Sequence, residues 1–317
     1  MLQKESSISK INFKNLLSKG VNINVEKLKG SQFDNIDSDF HVARFDHLHP
    51  VVSGNKFYKL HEFIEQAKKE KINIIVTAGG AFSNHLVATA YLTKQLGIKS
   101  FGLVRGEWKA TNISPTLSFC ASHQMTLIPV KRDDYAKLDE HLISQFTQLP
   151  ANSFLFIPEG GFHPLGAEGA TWMMRAIEQH NPTHIILATG TCTTIAGMMK
   201  AATPQTTIIG IPVLKGIEDE LTRINQLIGE TWQHPPVFFK DYHWGGYARF
   251  NSSLLDFMNS FYDQTSIPTD FVYTAKMFYA LQDLAQKKYF PTGSNVIAIH
   301  TGGLQGNFSL PKGRLNF

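Results

Sequence analysis

The sequence predicts an α/β protein built on parallel sheets, and three observations predict it. Apolar runs rich in Ile and Val alternate along the chain with segments of helical spacing. The runs are continuous rather than alternating with polar residues, the pattern of strands buried on both faces. Glycine-rich or polar segments follow several runs, at 79–85, 159–163, 190–194 and 301–303. Open parallel sheets bind ligands at such carboxyl ends of strands. Any one of these segments could simply end a strand; their recurrence is what points to a site.

Taken in order, the first forty or so residues read as irregular or partly helical. Ser53-Gly54-Asn55-Lys56-Phe57-Tyr58-Lys59-Leu60 opens a helix with Phe57, Leu60, Ile64 and Ala67 as its apolar stripe. Residues 72–77 form a strand that ends at Gly79-Gly80, and 83–96 a helix. A strand at 100–104, a helix at 117–123 and a strand at 126–130 follow. Residues 135–149 carry Leu138, Leu142 and Phe146 at helical spacing. Then come strand 154–157, a helix near 165–179, strand 183–189, helix 193–202 and strand 207–213. Helix 273–287 and strand 295–300 complete the series. Composition marks no domain boundary, repeat or linker.

A chain of 317 residues has room for one large or two ordinary domains. Hydrophobic residues make up 43% and charged residues 18%, as in ordinary globular proteins. The net charge of +4 is mild, and runs such as Lys68-Lys69-Glu70-Lys71 are broken by acids. Nucleic-acid binding is therefore not expected, although weak attraction for an anionic ligand is reasonable. Cys120 and Cys192 are the only cysteines and make no CxxC motif, which fits a reducing compartment. The segment beginning Met1-Leu2-Gln3-Lys4 lacks the apolar core of a signal peptide, and no apolar stretch reaches membrane-span length. A cytoplasmic protein without membrane contact is expected. Among thirteen histidines there is no HExxH, and His47-Leu48-His49 lacks further ligands at metal spacing, so no metal is expected. No GxSxG elbow is present.

Four segments carry candidate chemistry. Lys56 stands at a helix entry, where the dipole disfavours a cation, so a neutral or imine-bound amine suits it. Taken alone, however, it reads as a solvated surface lysine. Ser83 or Asn84 can cap the following helix, and the same groups can hold a substrate carboxylate; the two readings stand equal. Thr189-Gly190-Thr191-Cys192-Thr193-Thr194 joins a strand to a helix, with neither a P-loop ending nor GxGxxG. Its hydroxyls and backbone N–H groups suit a small phosphate monoester better than a nucleotide. Thr301 offers a hydroxyl at another strand end, and Tyr247 and Tyr273 are either packed or site tyrosines.

Together, from about Ala43 to Gly302-Gly303, these motifs resemble the 1-aminocyclopropane-1-carboxylate deaminase / D-cysteine desulfhydrase family. Its members are pyridoxal 5'-phosphate (PLP) enzymes of the tryptophan synthase β-like fold (fold type II). The resemblance implies two parallel-sheet α/β domains, the smaller one at 59–165 inserted into a larger PLP-binding one at 1–58 and 166–317. It also implies a Schiff base at Lys56 and contact of Asn55 with the cofactor ring hydroxyl. Thr189, Gly190, Thr191, Cys192, Thr193 and Thr194 would cradle the phosphate, with Thr301 at the pyridine nitrogen. Ser83, Asn84 and His85 would hold the substrate, and Ser83, Tyr247 and Tyr273 would join Lys56 in catalysis. A homodimer is implied as well.

The chain departs from the family pattern at Phe57 and Tyr58, where a small residue and Arg are usual, and at Cys192, where Gly or Ser is common. Phe57 and Tyr58 are expected to reshape the approach to the cofactor ring. Ring-opening deaminases carry Glu where Thr274 stands and Leu where Thr301 stands, and His85 resembles the desulfhydrases. The resemblance thus implies β-elimination from a small amino acid, giving pyruvate and ammonia. Alternatives are ring-opening deamination of 1-aminocyclopropane-1-carboxylate, dehydration of a hydroxy amino acid, and a PLP-binding or sensor protein with little turnover.

Overall fold

A computed structural model of the chain describes residues 22–317 except 31, 32, 35, 109–112, 230, 231 and 233. The expectations for residues 1–21 lie outside the described residues. Two sheets organise the rest. The first takes β1 (Val25–Lys27), β2 (Asp39–Ala43), β7 (His184–Thr189), β8 (Thr207–Pro212), β9 (Val237–Phe238) and β10 (Asn295–Ile299). Their order is β1-β2-β10-β7-β8-β9. The second takes β3 (Ile74–Gly79), β4 (Lys99–Arg105), β5 (Thr126–Val130) and β6 (Leu155–Ile157), in the order β5-β4-β3-β6. Every pairing is parallel except β1 with β2.

The continuous apolar runs have a physical cause in this arrangement. Successive side chains of a strand point to opposite faces, and here both faces meet a core. On β7, Ile185 and Leu187 pack into one core with Ile195 and Met198. Ile186 and Ala188 pack into another with Phe278 and Leu281. On β10, Ile297 and Ile299 join the first core, while Val296 and Ala298 join the second. A polar residue at any of these positions would be buried without water.

The helices are α1 (Asn55–Glu70), α2 (Asn84–Leu96), α3 (Pro115–Ser122), α4 (Arg132–Tyr135), α5 (Glu140–Thr147), α6 (Pro164–Arg175), α7 (Thr193–Ala201), α8 (Glu220–Ile228), α9 (Ser252–Thr265) and α10 (Thr274–Gln286). Side-chain caps set several starts. Ser114 Oγ accepts from Leu117 N at 3.1 Å ahead of Pro115 at the first helical position. Asn251 Oδ1 accepts from Leu254 N at 3.1 Å. The α1–α6 contact depends on Gly169, where a Cβ would lie 2.1 Å from the Tyr58 carbonyl oxygen. Only glycine allows that approach, and it presses the first turn of α1 into place.

Four readings from sequence need correction. The helix expected at 135–149 is shorter: α4 ends at Tyr135, and α5 begins only at Glu140, where Asp139 Oδ1 accepts from Leu142 N at 2.8 Å. The irregular N-terminal stretch contains β1 and β2, and β2 finds its strand character by pairing with β10, 252 or more residues away in sequence. Helices α8 and α9 occupy segments left unassigned. Phe57 and Tyr58 do not border the approach to the site. They are 0% and 1% exposed and join the core through Phe45, whose ring centroid lies 5.6 Å from that of Tyr58.

Among the described residues, no helix is long and apolar enough to cross a membrane. Nor does any group of His, Cys, Asp or Glu among them have the makings of a metal site.

Candidate active site

A cavity of about 490 Å³ opens at the carboxyl ends of β3, β7 and β10. It is lined by every candidate cofactor, substrate and catalytic residue that the sequence offered: Asn55, Lys56, Ser83, Asn84, His85, Thr189, Gly190, Thr191, Cys192, Thr193, Thr194, Tyr247, Tyr273 and Thr301. These positions span most of the chain, so convergence is a tertiary result.

Lys56 sits in the first turn of α1, and its Nζ donates to Asn55 Oδ1 at 2.6 Å. Burial pushes its pKa down to about 8, against the pull of the Asp270 carboxylate. A lysine at that value has a usable fraction of free amine near neutral pH. Asn55 is pinned on two sides. Its Nδ2 donates to Thr194 Oγ1 at 2.9 Å, and its backbone N–H donates to the Thr301 carbonyl at 3.1 Å. Gly54, at φ +60°, makes the close approach to Thr301 possible, since a Cβ there would lie 1.8 Å from that carbonyl oxygen.

The β7–α7 turn presents an anion site. Cys192 occupies the N-cap position of α7 in the left-handed region and caps nothing with its side chain. The first-turn N–H groups of α7 are thus left for another acceptor. Thr191 and Thr193 hydroxyls lie 2.9 Å apart, and Thr189 Oγ1 is buried with no partner among the described residues. Lys59, one helical turn after Lys56, is buried as well and donates to the Gly160 carbonyl at 2.9 Å. Burial and the neighbouring Lys56 hold its pKa well below the ordinary lysine value. Two buried amines, an orphaned hydroxyl and an uncapped helix start are mutually explained by a bound dianion.

The β3–α2 turn faces it. Ser83 Oγ accepts from His85 N and Leu86 N, both at 3.2 Å, so capping is its structural role and its hydroxyl proton is left to donate. Asn84 Oδ1 accepts from Gln305 N at 3.2 Å. His85 is buried with both ring nitrogens unpartnered among the described residues. Burial first, then Lys56 and Lys59, push its pKa down to about 3, so it is a neutral imidazole. The Tyr247 and Tyr273 rings meet edge to face at 6.2 Å. Burial raises the Tyr273 phenol well above its ordinary value, so it stays protonated.

Sequence reasoning missed several residues that shape the site. Asp270, fully buried, accepts from Val272 N at 3.0 Å, Tyr273 N at 3.1 Å and Thr274 N at 2.9 Å. It therefore fixes the segment carrying Tyr273. Thr274 is not turned to the cavity: its hydroxyl donates to Asp270 Oδ1 at 2.9 Å. Arg105, Glu159 and Arg223 also line the cavity. Lys59 was findable, because residues three apart share a helix face. Glu159 lay in a segment already noted at a strand end, whereas Asp270 has no motif of its own.

A family profile described as "Pyridoxal-phosphate dependent enzyme" matches residues 31–302. The chain belongs to that family. Its cofactor is pyridoxal phosphate, and the dianion that the β7–α7 turn fits is of the kind that cofactor carries. A Thermotoga maritima protein provisionally named 1-aminocyclopropane-1-carboxylate deaminase is 27% identical over 295 residues, covering 86% of this chain and 90% of that one. D-cysteine desulfhydrase of Klebsiella pneumoniae is 25% identical over 299 residues, covering 87% and 90%. A solved structure described as an ACC deaminase homologue superposes with a TM-score of 0.77 at 22% identity, covering 93% of this chain and 96% of that one. The fold is accordingly that of fold type II pyridoxal-phosphate enzymes, as the motifs implied.

Proposed function

We propose that the chain eliminates a β-leaving group from a small amino acid, releasing a keto acid and ammonia. The observation that carries the reading is Lys56, its pKa near 8, in one cavity with the uncapped start of α7 and the Ser83–Asn84 turn. Lys56 Nζ would hold the cofactor aldehyde, and Asn55 the ring hydroxyl. Thr189, Gly190, Thr191, Cys192, Thr193 and Thr194 would hold the phosphate, and Thr301 the pyridine nitrogen. When bound, the cofactor supplies an electron sink for negative charge at the substrate α-carbon.

The other steps belong to the chain. Ser83 Oγ and Asn84 orient the substrate carboxylate, and neutral His85 adds a hydrogen bond without adding charge. Lys56 Nζ, as a free amine, would take the α-proton. The protonated Tyr273 phenol, beside the Tyr247 ring, would donate to a departing group. A threonine hydroxyl at the pyridine nitrogen, unlike a carboxylate, leaves that nitrogen largely unprotonated and the sink weak. This suits a thiolate leaving group and disfavours opening a cyclopropane ring, the activity in the name of the Thermotoga relative.

The relatives' names support an amino-acid substrate, with D-cysteine as one precedent. We also propose a homodimer in the cytoplasm, with 59–165 as the inserted domain. The homodimer rests on the family resemblance alone. Cytoplasmic residence is supported by two buried free cysteines. The domain division is supported by β3 to β6, the whole second sheet, lying within 59–165.

The test has two parts. Borohydride reduction of the yellow holoenzyme should fix the cofactor on the Lys56 peptide; label on another lysine would refute the assignment. Keto-acid release should follow from β-thiol or β-chloro D-amino acids and be slight from 1-aminocyclopropane-1-carboxylate. Comparable turnover of both would refute the threonine argument.

A further inference from the structure

The cavity contains a cation that neither the cofactor nor the α-carboxylate site uses. Its charged lining residues are Lys56, Lys59, Arg105, Arg223 and Glu159. Lys56 and Lys59 belong to the cofactor end, and Arg223 electrostatically favours the thiolate of Cys192 in the β7–α7 turn. Arg105 is elsewhere. It ends β4, the neighbour of β3, while Glu159 follows β6 on the other flank of β3. Arg105 Nη1 meets Glu159 Oε2 at 3.2 Å, so the pair bridges the carboxyl end of β3.

The guanidinium is held in a fixed pose. Glu159 binds one edge, and the Tyr135 ring lies beneath at 5.3 Å from the guanidinium carbon. The Tyr135 hydroxyl donates to the same Glu159 oxygen at 3.0 Å, which spreads that carboxylate's charge. Arg105 Nη2 reaches over Gly80, where even a Cβ would lie 3.5 Å away. Gly80 opens the turn that carries Ser83 and Asn84. Among the described residues, Nη2 and Nε have no hydrogen-bond partner, and a guanidinium fork matches a carboxylate with two parallel bonds.

We infer that Arg105 is a specificity-determining residue that binds a second, anionic group on the substrate, a carboxylate or similar oxyanion on the side chain. Ser83 and Asn84 hold the α-carboxylate, and Arg105 next to them takes the distal charge. Glu159 and Tyr135 orient the guanidinium rather than touch the substrate. The inference rests on the amino-acid reading above and narrows its substrate class to acidic amino acids or amino acids bearing an acidic leaving group.

The experiment is a titration of the holoenzyme, following its cofactor absorbance, with isosteric pairs in both enantiomers. Aspartate is compared with asparagine, and S-carboxymethylcysteine with S-carbamoylmethylcysteine. The carboxylate member of at least one pair should bind about tenfold or more tightly. In R105M that ratio should fall to about one, and R105K should restore part of it. In E159Q the ratio should shrink without vanishing, because the guanidinium loses its orienting partner but keeps its charge. Equal affinity within both pairs, or a ratio unmoved in R105M, overturns the inference alone. A preference for S-aminoethylcysteine over both S-carboxymethyl and S-carbamoylmethyl forms overturns it in favour of Glu159 as the recognising group. A yellow holoenzyme whose spectrum answers to no amino acid overturns the amino-acid reading and this inference with it.

Discussion

At Lys56 the reactivity of the amine follows from the cost of keeping a charge in a buried place. Its pKa stands at about 8, depressed by burial and partly restored by Asp270. The lowered value means that the free amine is the main form above pH 8 and the ammonium below it. In the cofactor-free chain, the rate of reductive coupling of Lys56 to pyridoxal should rise about tenfold per pH unit below that value and level off above it. Ordinary surface lysines should keep rising to roughly 10.4. Peptide mapping of the label against pH checks this, and a Lys56 curve that tracks the surface lysines would contradict it. At Gly190 the same electrostatics act in reverse. A Cβ there would lie 3.3 Å from Tyr273 Cε1, and the carboxylate of Gly190→Asp would face the cofactor dianion. Like charges about 4 Å apart cost several kcal/mol at an effective dielectric of about 20, so cofactor affinity should fall roughly 100-fold or more. Fluorescence titration of the folded variant reads the change.

At the scale of the element, α1 joins core to chemistry. Its apolar stripe was legible, because Phe57, Leu60, Ile64 and Ala67 repeat at helical spacing, and all four are buried. Tyr58 was misread because family comparison flagged it as unusual, whereas the fold had turned it and Phe57 away from the cavity. Phe57→Ala should therefore cost about 3–5 kcal/mol of stability. The milder Phe57→Leu should leave keto-acid release nearly unchanged, since neither side chain lines the cavity. Urea unfolding and steady-state kinetics separate these effects; a large kinetic change in a stable Phe57→Leu protein would return Phe57 to the site. The late start of α5 shows the opposite failure. Periodicity ran on through 135–149, but a local Asp139 cap outweighed it.

Across the whole molecule, the cavity is assembled from loops that follow strands of both sheets, and α1 ties its parts together. Asn55 alone contacts residues 139 and 246 positions away, at Thr194 and Thr301. A ligand that binds only this assembled state stabilises it by mass action, by about 2.7 kcal/mol at a hundredfold excess over Kd. Stripping the cofactor should therefore lower the thermal midpoint by several degrees, and returning it should restore the midpoint in a concentration-dependent way. Calorimetry of apo and reconstituted protein checks this. An unchanged midpoint would mean that the cofactor is not held by the folded cavity.

The sequence by itself determined the fold class and marked the strand-end segments proposed to carry the chemistry. Strands buried on both faces must be apolar throughout, and ligand-binding turns must supply glycine, hydroxyl or amine groups at strand ends. Both requirements leave marks that can be read locally. Only the tertiary structure decided which groups act on one another. Burial depressed the pKa of Lys56, emptied His85 of charge and left the Thr189 hydroxyl without a partner among the described residues. Pairing with β10 made a strand of 39–43, and the flanks of β3 brought Arg105 to Glu159. Desolvation and charge coupling depend on distance in space, and the residues concerned are tens to hundreds of positions apart along the chain.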